Sequence, residues 1–410
     1  MNKAELLSKP FDLKGKDTLK NRIFKSAMSE QLGDSDHNPT PGLAQLYKTW
    51  AEGGTGLLVT GNVMIDRTAL GEPKNVVLDE QSKLEPFRAW AKAAQSNGSK
   101  VWMQLNHPGK QIPKFLNKEP VAPSAIALGS GLESTFAKPR ALSEPEIEAI
   151  IKRFANAARL AKETGFDGVQ IHGAHGYLVS QFLSPRHNQR KDQWGGSLEN
   201  RMRFVDSVYK AIREQVGEHY PVGIKLNSAD YSKGGFSHEE AMEVIKYLSG
   251  LGIDLIEVSG GTYESPSMVG HKVASSTAAR EAYFLEFAES IRKEVPTPLV
   301  VTGGFRSTKA MQDALASDAC DLIGLARPLA VDADAPNKLL SSTDYRIEMK
   351  RPTTGVKMVD QMAMLDITWY EFQLARMAKG KAPKPNLSSW SAVAQIMAGL
   401  GMQAFKQRRA

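Results

Sequence analysis

Eight short apolar runs recur along this chain, each parted from the next by a longer stretch with helical spacing, and that alternation constrains the fold more than any other feature. The runs fall at 22–28, 56–65, 100–105, 168–172, 222–227, 255–259, 299–302 and 322–325. Between them, helical patterns occupy 42–52, 79–97, 143–164, 197–216, 237–251, 278–294 and 307–317. Runs such as GLLVTG, LIEVSG and PLVVTG are apolar almost throughout, as parallel strands covered on both faces must be. Ser143 and Ser237 each precede a glutamate by three residues, the capping-box spacing that starts a helix. Eight strands alternating with helices predict a (β/α)8 barrel, whereas a doubly wound sheet more often stops at five or six.

Three segments break the rhythm. The turn-rich stretch 10–21 is expected to form a hairpin plugging the N-terminal mouth of the barrel. The segment 106–142 is far longer than an ordinary βα connection and is expected to form a lid or wall over the site. After Asp332 the pattern changes, so that residues 1–332 are assigned to the barrel and 333–410 to a C-terminal helical extension with helices over 358–379 and 388–405. The uncharged run 386–405 is read as packing on the barrel or on a neighbouring subunit of a homo-oligomer, in preference to a membrane surface.

The 410 residues are 41% hydrophobic and 24% charged, a composition able to bury a large core. The N-terminus has no apolar signal core, and no run is long enough to span a bilayer, so a soluble cytoplasmic protein is expected. One cysteine, Cys320, excludes an internal disulfide and a cysteine-held metal cluster. Of the net charge of +7, +5 lies between Val331 and Ala410, and the remainder carries no basic stripe, so nucleic acid is not an expected partner.

In a barrel the C-terminal ends of the strands face one mouth, and there the chemistry should lie. Strand four runs into His172, His175 and Tyr177. Their HxxH spacing has no flanking acid and no helix, which argues against a metal, and two merely structural histidines leave the tyrosine unexplained. The preferred reading is two imidazole donors on an electron-rich oxygen with Tyr177 as proton donor. Gly303 and Gly304 after strand seven, with Arg327 after strand eight, are where such barrels bind a phosphoryl group. Gln104 and Lys225 suit the edge of a flavin, the amide meeting the pyrimidine and the cation facing its negative charge.

The segment HGAHGY followed by FLSP, NQR and GGSLENR, with NRIFKSAMS at strand one, Gln104 and the late GG and ARP stretches, resembles the Old Yellow Enzyme family of NADH:flavin oxidoreductases over roughly residues 10–330. The resemblance implies a non-covalent FMN reduced by NADPH or NADH, and a small-molecule alkene conjugated to a carbonyl or nitro group as substrate. His172 and His175 would then bind the substrate oxygen, with Asn106 shaping the pocket, and Tyr177 would protonate the α-carbon. FMN contacts carry over to Ser26, Ala27, Met28, Ser29, Gly61, Gln104, Lys225, Gly303, Gly304, Ala326 and Arg327. Ala27 stands where the family commonly has Pro, Ser29 where Thr or Cys tunes the flavin, and Lys225 where Arg is usual. Two other readings stay open: a barrel isomerase or aldolase on a phosphorylated substrate with Lys225 as Schiff-base lysine, and a non-catalytic binding module.

Overall fold

The structure, a computed structural model, describes residues 5–129, 131–262, 264, 281 and 284–400. Eight parallel strands close into a barrel: β3 (Ile23–Lys25), β4 (Leu57–Val59), β6 (Lys100–Asn106), β9 (Gly168–Gly173), β10 (Val222–Asn227), β11 (Leu255–Ser259), β12 (Leu299–Thr302) and β13 (Leu322–Leu325). Each pairs with its neighbour in that order, and β13 returns to β3. The barrel matches the alternation of the sequence.

The expected strand 56–65 is two pieces, β4 and a short β5 (Val63–Met64) that pairs with β6. Gly61 lies between them with its N–H on the Tyr47 hydroxyl at 2.9 Å, so the backbone leaves the sheet there. A Cβ at Gly61 would come within 2.5 Å of the Met28 carbonyl oxygen, so only glycine fits this approach.

Helices wrap the outside. Pro41–Glu52 starts on Thr40, whose hydroxyl accepts from the Leu43 N–H, and Glu144–Glu163 and His238–Gly250 both begin with complete capping boxes on Ser143 and Ser237. These caps satisfy N–H groups that the helix itself cannot. The helix expected over 278–294 is seen as Leu285–Arg292, and its first part lies outside the described residues. The expected run 358–379 divides into Lys357–Met362 and Leu365–Met377, because Met364 takes a left-handed conformation at φ +48°.

The hairpin does form. β1 (Phe11–Asp12) pairs antiparallel with β2 (Thr18–Leu19), and Leu13 and Leu19 pack with Phe24, Trp102, Leu255 and Leu322 inside the barrel floor. Trp102 is wholly buried there between Gly168 and Gly223, where an added Cβ would lie 2.6 Å and 2.8 Å from the indole. A larger cluster fills the space between barrel and helices and takes in Leu365, Trp369, Tyr370, Leu374 and Met377 of the extension. Cys320 is buried, and burial pushes its thiol up to about 12, which suits a packing residue. Among the described residues no helix is long and apolar enough to cross a membrane, and no group of three His, Cys, Asp or Glu side chains could hold a metal ion.

Candidate active site

A single cavity of about 1380 Å³, counting its open mouth, lies over the C-terminal ends of the strands.

Register explains which side chains reach it. Lys225 on β10 stands level with His172 on β9 and Glu257 on β11, and Gln104 on β6 stands level with Gln170 on β9, so their side chains share the inner face. At one end of the cavity His172 and His175 meet edge to face with ring centroids 5.2 Å apart, and His172 meets Tyr177 at 4.7 Å. His175 holds a left-handed backbone at φ +61°, which turns the chain out of β9. Its N–H donates to Asn227 at 3.2 Å, and its Nε2 lies 2.8 Å from the Ser259 hydroxyl.

The Ala174 N–H donates to His172 Nδ1 at 3.3 Å, which makes Nδ1 an acceptor and leaves the ring proton on Nε2. Burial first, and the Lys225 ammonium second, hold the His172 pKa well below the usual imidazole value; for His175 the same two causes act, with His172 adding to them. Both rings are therefore neutral donors at neutral pH.

At the other end Gly303 and Gly304 line the wall with φ of +122° and +96°, and Ala326 and Arg327 lie beside them. The Arg327 guanidinium sits 5.8 Å from the centre of the Tyr370 ring. Gln104 and Lys225 also line the cavity. An elongated group with a flat, hydrogen-bonding ring and an anionic tail fits this sequence of donors, and FMN is such a group. Glycine backbone free of Cβ and the Arg327 cation suit its phosphate, and the amide and ammonium suit its ring.

Of the residues singled out from the sequence, Ala27, Met28 and Ser29 line the cavity together with those just described. Ser26, Gly61 and Asn106 do not. Ser26 is buried with its hydroxyl 2.6 Å from that of Thr302, Gly61 turns toward Tyr47, and the Asn106 amide nitrogen faces Met64 Sδ at 3.8 Å. The Ser29 hydroxyl donates to the carboxylate of Glu72, another lining residue.

The segment 106–142 was expected to wall the site, but none of its described residues lines the cavity. It braces the loop that follows β9 instead: Gln111 donates to the His175 carbonyl at 3.1 Å, and the Leu178 N–H donates to the His107 carbonyl at 3.0 Å. The wall comes from Met349, Asp366, Ile367, Tyr370 and Leu374 of the C-terminal extension. Sequence reasoning missed these, since a helix that is amphipathic gives no sign of what its buried face covers. It also missed Glu257 and Thr302, though a carboxylate in the apolar run LIEVS was a signal.

Residues 6–344 match the model of the NADH:flavin oxidoreductase / NADH oxidase family. The NADH-dependent flavin oxidoreductase iliE of Neonectria sp. (strain DH2) is 40% identical over 359 residues, covering 82% of this chain and 47% of that protein. This chain thus spans about half the length of that relative. The protein of the same name from Hypocrea jecorina (strain QM6a) is 38% identical over 367 residues, covering 84% of this chain and 91% of that one. Among solved structures, an old yellow enzyme homologue from Zymomonas mobilis superposes with a TM-score of 0.70 at 27% identity, covering 84% of this chain and 94% of that one. The chain belongs to the NADH:flavin oxidoreductase / NADH oxidase family, the Old Yellow Enzyme group, whose cofactor is FMN and whose reductant is NADH or NADPH.

Proposed function

We propose that the protein reduces carbon–carbon double bonds conjugated to a carbonyl or nitro group. The observation that carries this reading is the arrangement of His172, His175 and Tyr177, with the His172 ring in contact with both others, in a cavity that Gly303, Gly304 and Arg327 also line. Bound FMN would supply the electron pair, taken from NADH or NADPH and passed to the β-carbon as hydride.

The chain's own residues do the rest. The two neutral imidazoles donate to the substrate oxygen, which gains charge as the double bond is reduced, so these bonds strengthen toward the transition state. Tyr177 is 5% exposed and gives its phenolic proton to the α-carbon. Lys225, which lines the cavity, would be the cation that faces a bound flavin. Its Nζ is held 3.1 Å from Glu257, which leaves it poorly placed to attack a carbonyl as an aldolase lysine would.

The test is direct. The purified protein should be yellow, and anaerobic NADH or NADPH should bleach it. Replacing Tyr177→Phe should slow alkene reduction by about 10²-fold or more while bleaching proceeds at nearly the wild-type rate. A colourless protein that stays inactive after incubation with FMN would refute the reading, and equal loss in both half-reactions would remove Tyr177 as proton donor.

A further inference from the structure

Inside the barrel, directly below the cavity, a chain of polar side chains runs through space that bulk water does not reach. Gln104 is 1% exposed, and Gln170 and Glu257 are wholly buried. Gln104 Nε2 donates to Gln170 Oε1 at 2.8 Å, and Gln170 Nε2 donates to Glu257 Oε2 at 2.9 Å. The other carboxylate oxygen accepts from Thr302 at 2.8 Å and lies 3.1 Å from the Lys225 ammonium. With the Thr302 proton committed to Glu257, the Ser26 hydroxyl is the donor in its 2.6 Å contact with Thr302.

The direction of every bond follows from one charge. An amide has nearly the same shape either way up, so packing alone does not orient Gln170 or Gln104. A carboxylate can only accept. Glu257 therefore draws the Gln170 nitrogen toward itself, Gln170 turns its oxygen to Gln104, and Gln104 must donate. What remains for a ligand is the Gln104 carbonyl oxygen with the second hydrogen of its amide, on a wall that Lys225 also lines.

We infer that Glu257 is a positioning residue that sets the hydrogen-bond polarity of the cavity, presenting an acceptor from Gln104 on a wall that Lys225 also lines and so selecting a ring edge that carries an N–H beside a carbonyl oxygen, an imide. This rests on the flavin reading, since an isoalloxazine has such an edge. An amide at position 257 would offer its oxygen to Lys225 and Thr302 and its nitrogen to Gln170. Both glutamines would then turn over, and the cavity would face two N–H groups where it had an acceptor.

The experiment compares wild type, Glu257→Gln, and the exchange Glu257→Gln with Gln170→Glu. Dissociation constants are measured by flavin fluorescence for FMN and for FMN methylated at ring N3, which lacks the imide N–H. Wild type should prefer FMN by about tenfold or more, the size of effect left by one unmade buried hydrogen bond. Glu257→Gln should lose about tenfold in FMN affinity and most of that preference. The exchange should restore both, because a carboxylate at 170 again accepts from Gln104. A merely structural role predicts no such rescue.

Glu257→Gln with wild-type affinity and preference would overturn the inference. So would an exchange variant of unchanged melting temperature that binds no better than Glu257→Gln. If Glu257→Gln does not fold, the exchange variant decides alone, since it keeps one carboxylate and one amide in the same contacts. A wild type that binds no FMN would refute the flavin reading itself, whereas a wild type and variants that bind equally refute only the role of Glu257.

Discussion

His172 and His175 show how much chemistry two positions take from their surroundings. Their pKa values lie well below the usual imidazole range because burial and Lys225 disfavour the cation. In the unfolded chain both take up a proton near pH 6.5, and in the folded protein they do not, so acid favours unfolding. Above pH 6.5 neither state is protonated and the two histidines contribute no pH dependence. Below it, each costs up to about 1.4 kcal/mol of stability per pH unit until its folded pKa is reached. Thermal unfolding between pH 6.5 and 5 should therefore decline less steeply for His172→Gln than for wild type. Equal slopes would mean that His172 is protonated in the folded protein. His172, His175, Tyr177, Gln104 and Lys225 were legible in the sequence because polar groups at the ends of apolar strands have few structural uses. Ser26, Gly61 and Asn106 sit at equally suggestive positions, but the Ser26 hydroxyl is taken up by Thr302, the Gly61 N–H turns to Tyr47, and the Asn106 amide nitrogen faces Met64.

Elements were read most reliably where period and caps agreed. The strands at β9 to β13 and the helices beginning at Ser143, Ser197 and Ser237 fall within a residue or two of their expected bounds. Breaks inside an apolar run were not legible, because Gly61 and the left-handed Met364 act through backbone geometry that composition does not carry. The strands also depend on one another at a level the sequence hides. Gly168 on β9 and Gly223 on β10 leave the space that Trp102 of β6 fills. Gly168→Ala should destabilise the barrel by about 1–3 kcal/mol through overpacking, read as a lower urea midpoint at unchanged slope. A midpoint equal to that of wild type would mean that the indole can shift.

The whole molecule places the C-terminal extension where the sequence had assigned a different wall. Leu365–Met377 packs its apolar face into the main core and ends the cavity with Tyr370 and Leu374, beyond the 6–344 span matched to the family. Tyr370→Ala should weaken FMN binding by about tenfold while the circular dichroism spectrum is kept, since it removes a ring that covers Arg327, and cation–π contacts of this kind contribute on the order of 1 kcal/mol. Unchanged affinity would show that the Tyr370 ring does not support the bound cofactor. The sequence by itself determined the barrel and the aromatic end of the site, because periodicity and strand-end polarity are local properties. Tertiary structure alone decided which wall closes the cavity and that Glu257 lies under Gln104 and Lys225. Both depend on register around a closed barrel, where residues 66 and 87 positions apart become hydrogen-bonded neighbours.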